Sequence, residues 1–277
     1  MSVGAVVDVC YAFAVQPLKS LVRGITAHHD HLYSRVAGAH PHRRPWHPQW
    51  LSVKDLYRDL REILPTLEGE VLDVGCLGKP YAAWLTRATS HIGIDVVDGP
   101  MIDYVTREGE PWPLESERFQ SAVCTQTLEV AKDVPHLVDE LSRVLRPTGT
   151  AVISTPFCYN DLNGCDGDSG VSVYWRHSVR GVEELMAQRF DIVEVRTHGA
   201  VGSTVGILLL NCVHQSLARH PLGRLLVVLL LPVRLPLCFG ANMLACVLDR
   251  LDRTGNFYHN VLLVVRKKAV ATTSDVR

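Results

Sequence analysis

The sequence predicts an α/β protein: a doubly wound, seven-stranded sheet preceded by an N-terminal arm and interrupted by a helical insertion before its last strand. Three observations predict it. Five short apolar runs lie between residues 70 and 156, with helical-period segments before and among them. That alternation belongs to a parallel sheet covered on both faces. A further helix and strand follow at 179–197, and NVLLVVRKK at 260–268 brings the strand count to seven. Finally, 277 residues at 47% hydrophobic suffice for a full core, with no repeat period and no low-complexity tract.

In chain order, SVKDLYRDLREILPTL (52–67) sets Val53, Leu56, Leu60, Ile63 and Leu64 on one helical face, with Ser52 and Asp55 in the first turn. The runs EVLDVGC (70–76), HIGIDV (91–96), MIDYV (101–105), SAVCTQT (121–127) and TAVISTP (150–156) read as buried parallel strands. DVPHLVDELSRVL (133–145) is the crossover helix before the fifth, with Asp133 as N-cap and Pro147 and Gly149 beyond its end. VRGVEELMAQR (179–189) is a helix and DIVEVRT (191–197) a strand. This gives an irregular or helical arm at 1–51, a core at 52–200, and an apolar insertion with the completing strand at 201–277.

Charge and cysteine usage narrow the function classes. Lys plus Arg total 28 and Asp plus Glu 29, a net charge of -1 without the positive field of a general nucleic-acid binder. Residues 1–50 and 200–254 each carry +3, so the remainder carries -7. Basic, apolar flanks around an acidic centre fit either a membrane-surface pattern or ordinary surface variation. The eight cysteines contain no C-x-x-C pair and read as reduced thiols of a cytoplasmic protein. MSVGAVVDVCYAFAV lacks a basic start and holds Asp8 in its apolar run, against a signal peptide.

The chemistry begins where the first strand meets Gly75 and Gly78, a sharp turn that would aim backbone amides and a helix N-terminus at a ligand. Asp95, 22 residues beyond Asp73, ends the second strand where a carboxylate accepts the ribose hydroxyls of a nucleoside ligand. The structural alternative is that Gly75 only turns the chain and Asp95 only caps a following helix. Leu77 and Pro80 break the full G-x-G-x-x-G expected for a dinucleotide.

These residues resemble the class I S-adenosylmethionine-dependent methyltransferases, of the type 11 subgroup. VLDVGCLGKPY (71–81), GIDVVDG (93–99), SAVCTQTLEV (121–130) and LSRVLRPTGTAVISTPF (141–157) are similar to four motifs of that family in order and spacing. The resemblance covers about residues 52–200 and implies a Rossmann-like core, S-adenosyl-L-methionine as cofactor and methyl transfer as activity. It further implies that Asp73, Gly75 and Cys76 shape the methionine pocket, Asp95 holds the ribose, Val96 borders the adenine, and Thr125 and Gln126 flank the sulfonium end. The chain departs from the family at Leu77, which replaces a glycine, and at Val130, which replaces a histidine after Glu129. Glu108 stands for the adenine-contacting acid at a shifted spacing. A non-catalytic binding or scaffold protein of the same fold is the alternative that these departures favour.

Transfer to oxygen needs a base opposite the cofactor. FCYNDLNGCDGDSGVSVYWRHSV (157–179) has the polarity and glycine content of a substrate lid, with His177 and Asp166 as the chosen bases and Asp161 and Asp168 beside them. Tyr174, Trp175 and Arg176 frame an acceptor, which by resemblance is a small molecule, a sugar or a lipid-linked group. No metal site is assigned. The Asp-Gly-Asp spacing lacks the order of a calcium loop, and the histidines at 28, 29, 31, 40, 42 and 47 read as irregular solvated chain. The apolar stretches at 206–247, broken by Pro232, Pro236 and three arginines, suit either helices packed on the sheet or a second subunit of a homodimer, or an interfacial hairpin. The last would place the protein peripherally on anionic lipid at the inner face of the membrane.

Overall fold

The computed structural model describes Gly24 and residues 41–161, 172–219 and 221–269. Asp166, Asp168, Cys10, Cys165 and the histidines at 28–40 lie outside the described residues. Two compact units divide the chain: one joins Val201–Arg253 to the chain up to Lys54, and the other joins Asp55–Ala200 to the chain from Thr254.

The larger unit is a seven-stranded sheet: β1 (Glu68–Val74), β2 (Arg87–Asp95), β3 (Tyr104–Val105), β4 (Phe119–Thr125), β5 (Leu145–Pro156), β6 (Phe190–His198) and β7 (Asn260–Lys267). Their spatial order is β3-β2-β1-β4-β5-β7-β6, parallel except that β7 runs antiparallel to both its neighbours. Alternate side chains enter opposite faces. Leu72, Ala122 and Ile153 meet helices α2 (Val134–Val144) and α3 (Val179–Ala187), whereas Val71, Val123 and Val152 meet α1 (Trp50–Ile63). α1 presents Leu56, Leu60 and Ile63 as its spacing predicts, but begins at Trp50 rather than Ser52. The side chain of Asp133 caps α2 by accepting the His136 N–H at 3.0 Å, and Ser178 caps α3 by accepting from Gly181 at 3.2 Å.

Three expectations change. No α-helix follows β1: the twelve residues before β2 contain only a 3-10 turn at Ala82–Trp84, too short a link for a helix and its two connections. Tyr81 and Trp84 instead pack edge-on against Tyr57 of α1. No α-helix follows β2 either, so Asp95 caps none. Pro147 and Gly149 follow the end of α2 as expected, but β5 begins at Leu145 rather than Thr150 and takes both in, its register slipping from Phe119↔Leu145 to Ser121↔Thr150. A Cβ at Gly149 would sit 2.9 Å from the Arg146 oxygen, so the bulge needs glycine.

The smaller unit contains α4 (Val201–Ala218), α5 (Pro221–Leu229) and α6 (Leu231–Asp249). The end of the arm belongs with them, because Asn242 donates to the carbonyls of Pro45 (2.6 Å) and His47 (3.0 Å) and Leu51 lies under Gly206.

A buried ionic cluster fastens α1 to β6. Asp59 accepts from Arg58 Nε (2.8 Å) and pairs with His198 Nε2 (3.1 Å), while Arg196 stands 3.5 Å away. Burial raises the Asp59 carboxyl, but the hydrogen bonds from Arg58 and His198 outweigh it and hold the group below its ordinary value. Burial lowers His198, so its ring is neutral at pH 7, donating from Nε2 and accepting from Asn260 Nδ2 at 2.9 Å through Nδ1. Asp59→Ala is expected to lower the unfolding free energy by about 3 kcal/mol, because it strands buried partners. Arg58→Ala, whose side chain is 64% exposed, should cost about 0.5 kcal/mol or less in the same urea titration.

Candidate cofactor and acceptor site

β1 delivers the chain to Gly75, whose φ of 69° and position against Thr127 leave no room for a Cβ. Its N–H donates to the Ile94 oxygen at 2.9 Å, stitching the turn to β2. Leu77 and Lys79 follow at φ 42° and 47°, a region that side-chain-bearing residues enter at a cost of about 1 kcal/mol each. Leu77 thus holds a left-handed backbone conformation that glycine would adopt without strain.

Side chains hold this loop where a helix was expected. Lys79 Nζ donates to the His91 oxygen (2.9 Å) and to Asp103 Oδ2 (2.6 Å), and the same carboxylate oxygen accepts the Gly93 N–H at 2.7 Å. Burial raises Asp103, but Lys79 and the Gly93 amide more than compensate and hold it below its ordinary value. Asp73 is buried beneath the loop with Oδ2 3.0 Å from His91 Nε2, its carboxyl pushed up by burial. Cys76 is also buried, against Gly93, and burial pushes its thiol up to about 12. Both residues support the loop from within.

Asp95 lies at the mouth. Oδ2 accepts the Leu77 N–H at 3.0 Å, and Oδ1 accepts those of Val96 (2.8 Å) and Val97 (3.3 Å). A carboxylate has about four acceptor positions, so three amides leave room for one further donor. Val96 and Val97 beside it are exposed, an apolar surface for a flat ring. On β4, adjacent to β1, Thr125 is buried, and Gln126 turns at φ 55° with Nε2 donating to Ser154 Oγ (3.0 Å) and Asn260 Oδ1 (2.9 Å). The structure thus brings Gly75, Cys76, Asp95, Val96, Thr125 and Gln126 to the carboxyl ends of adjacent strands, where ligands of such sheets bind. Glu108 is engaged elsewhere: its carboxylate accepts the Lys132 N–H and stands 3.3 Å from Lys132 Nζ.

Residues 172–178 cross this edge. Tyr174 and Trp175 donate their backbone N–H groups to the Glu129 oxygen (2.7 and 3.2 Å), and Trp175 Nε1 donates to the Ala131 oxygen at 2.8 Å. His177 stacks on Trp175 with ring centroids 6.3 Å apart; its Nε2 is buried without a partner, and burial lowers its basicity. Arg176 donates to the carbonyls of Asn160 and Trp175.

Beneath these residues lies Glu129, which is 6% exposed. Burial raises its carboxyl from the ordinary 4.5 to about 7, partly offset first by its own backbone N–H and then by the nearby Arg176 and Thr155. Neither Glu129 Oε2 nor Thr155 Oγ1 meets a partner at hydrogen-bonding geometry. A carboxyl poised near neutrality with a free oxygen is the form a general base takes. In the sequence Glu129 stands out only by resemblance, as the acid kept in SAVCTQTLEV, with no role as a base assigned to it; its raised basicity comes from burial, which spacing does not reveal.

Residues 72–153 match the type 11 family described as "Methyltransferase domain". No curated protein matches the sequence. Among solved structures, the chain is similar to the (4+2)-cyclase SpnF with a TM-score of 0.50 and 18% identity, over 80% of this chain and 83% of that one. It is also similar to an S-adenosylmethionine-dependent methyltransferase from Mesorhizobium loti, with a TM-score of 0.48 and 16% identity over 76% and 97% of the two chains. At these identities the likeness is one of fold.

The loop's strain and its carboxylate anchor are separately testable. Leu77→Gly should hold or raise the thermal midpoint, because it relieves a left-handed leucine, whereas Leu77→Val should destabilise by about 1 kcal/mol. Equal losses in both would contradict strain at this position. Asp95→Ala releases the Leu77 amide as well as a ligand donor, so calorimetry with S-adenosylmethionine should show affinity lower by at least about tenfold. Unchanged affinity in the folded variant would remove Asp95 from the site.

Proposed function

Because residues 72–153 are a class I S-adenosylmethionine-dependent methyltransferase domain of type 11, we propose that the chain transfers a methyl group to an oxygen of a small-molecule, sugar or lipid-linked acceptor in the cytoplasm, with Glu129 as the base. The observation that carries this reading is the buried Glu129 carboxyl, raised to about 7 with Oε2 unpartnered beneath the lid return.

The cofactor fits the residues present. Asp95 keeps one acceptor position for a ribose hydroxyl while holding its three amides, and Val96 and Val97 offer an apolar face beside it. S-adenosylmethionine, when bound, supplies a methyl carbon activated by its sulfonium. The protein's remaining work is to exclude water, orient an acceptor oxygen and remove its proton. Tyr174 and Trp175 present exposed aromatic surface for the acceptor, held in place through the Glu129 and Ala131 carbonyls. Glu129 Oε2 takes the proton. Arg176 stands near enough to favour the carboxylate and keeps burial from raising it further. His177, made a weaker base by burial and stacked on Trp175, serves to fix the lid return.

Turnover should therefore rise with pH to a plateau, with a midpoint near 7 set by Glu129. Glu129→Gln should lower S-adenosylhomocysteine production from extracted sugar and lipid fractions by about a hundredfold or more, leaving cofactor affinity unchanged. Undiminished production would remove Glu129 as the base. Absence of cofactor binding at millimolar concentration would instead support a non-catalytic scaffold.

An acceptor-independent check uses stability. With the folded pKa above the unfolded value, the native state holds the extra proton between 4.5 and about 7. Stability is then full below that window and falls by on the order of 3 kcal/mol as pH rises through it. Glu129→Gln should flatten this part of the pH–stability curve in urea unfolding.

A further inference from the structure

We propose that the hairpin formed by α4, α5 and α6 is embedded in the hydrocarbon of an anionic lipid bilayer. The first observation is inverted polarity. Ser203, Thr204, Asn211 and Asn242 are buried within the smaller unit, while Leu209, Val213, Leu222, Leu229, Leu237 and Leu244 face outward, between 59% and 66% exposed. A water-soluble helical unit would do the reverse, because each outward leucine leaves apolar area in water. An apolar surface of this extent marks an interaction site.

Helix length and packing agree with insertion into lipid. At about 1.5 Å per residue, the 18 residues of α4 and the 19 of α6 span about 27 and 28 Å, close to the hydrocarbon thickness of about 30 Å. α6 is long and apolar enough to cross a membrane and only 17% of it is buried, which separates it from the core helix of a soluble protein. Pro236, which divides the apolar stretches in the sequence, lies inside this one continuous helix. Gly202 and Gly206 let α4 approach α6 closely, since a Cβ on Gly202 would collide with the Ala245 carbonyl. Such close approach of backbones is how helices associate where lipid removes any hydrophobic drive.

Charge and connectivity fix the lipid and the topology. Residues 201–248 contain no Asp or Glu and three arginines, Arg219, Arg224 and Arg234, all near the α5 end. The other end is closed by Asp249, whose carboxylate accepts from the Ser203 N–H at 2.7 Å and the Ser203 hydroxyl, while Asp252 accepts from the Val201 N–H at 3.2 Å. The chain therefore enters and leaves the hairpin on one side of the bilayer. Arginines confined to the α5 end, with no acid in residues 201–248, select a bilayer with anionic headgroups.

The proposal is independent of the methyl-transfer reading, because its test uses no cofactor. The full chain, purified in mild detergent, is reconstituted with mixed phosphatidylcholine and phosphatidylglycerol vesicles. It should float with them and remain attached through molar salt and an alkaline carbonate wash, which strip proteins held by surface charge alone. The triple variant Leu209→Asp, Leu237→Asp and Leu244→Asp, all at outward positions, should lose flotation at least tenfold while keeping its helical circular dichroism. Three results would overturn embedding: a wild-type chain that is monomeric in detergent-free buffer, one that forms a detergent-free homodimer covering these leucines, or vesicle binding that salt removes. Cofactor calorimetry in detergent, run in parallel, reports on the catalytic reading separately.

Discussion

The larger unit depends on a strand that arrives last. β7 bonds antiparallel to β5 along Thr150↔Arg266 to Pro156↔Asn260 and to β6 along Phe190↔Lys267 to His198↔Asn260. Without it β5 would end the sheet as an unpaired edge and β6 would have no neighbour. The chain reaches β7 only after the hairpin, so the core closes when residues about sixty positions beyond the rest of the sheet come home. Asn260, at the start of β7, then joins Gln126 at the site to His198 and Asp59 at the α1 contact. One amide side chain ties the mouth of the cofactor site to the anchoring of α1.

The loop after β1 shows how left-handed backbone is held without glycine. Leu77 and Lys79 occupy left-handed backbone at a cost that glycine would avoid. The offsetting terms are charge-assisted hydrogen bonds: three amides on Asp95, and Lys79 with the Gly93 amide on Asp103. The twelve-residue link offers no helix dipole, so fixed carboxylates set the loop's shape.

Two buried carboxyl groups of the same unit end on opposite sides of their ordinary values, although burial raises both. Asp59 is buried with Arg58 and His198 and stays ionised, whereas Glu129 is buried with an oxygen left unpartnered and rises to about 7. Partnership, rather than depth alone, decides between a structural ion pair and a group available for proton transfer.

Local chemistry and periodicity were enough to read the seven strands, the helices facing the sheet, the Asp133 cap, and the placement of Gly75 and Asp95 at strand ends, because each depends on neighbours a few residues apart; Thr125 and Gln126 were singled out by resemblance. Tertiary structure alone decided the rest. The loop that stands where a helix was expected after β1 is held by Lys79 reaching Asp103, 24 residues away; the engagement of Glu108 follows from Lys132, also 24 residues away. The basicity of Glu129 follows from burial beneath a segment more than forty residues downstream. The apolar stretches of the hairpin fit both packed helices and an interfacial hairpin in sequence, since hydropathy records how apolar a helix is and not which way it faces. Direction is a property of packing, and packing exists only once the chain has folded.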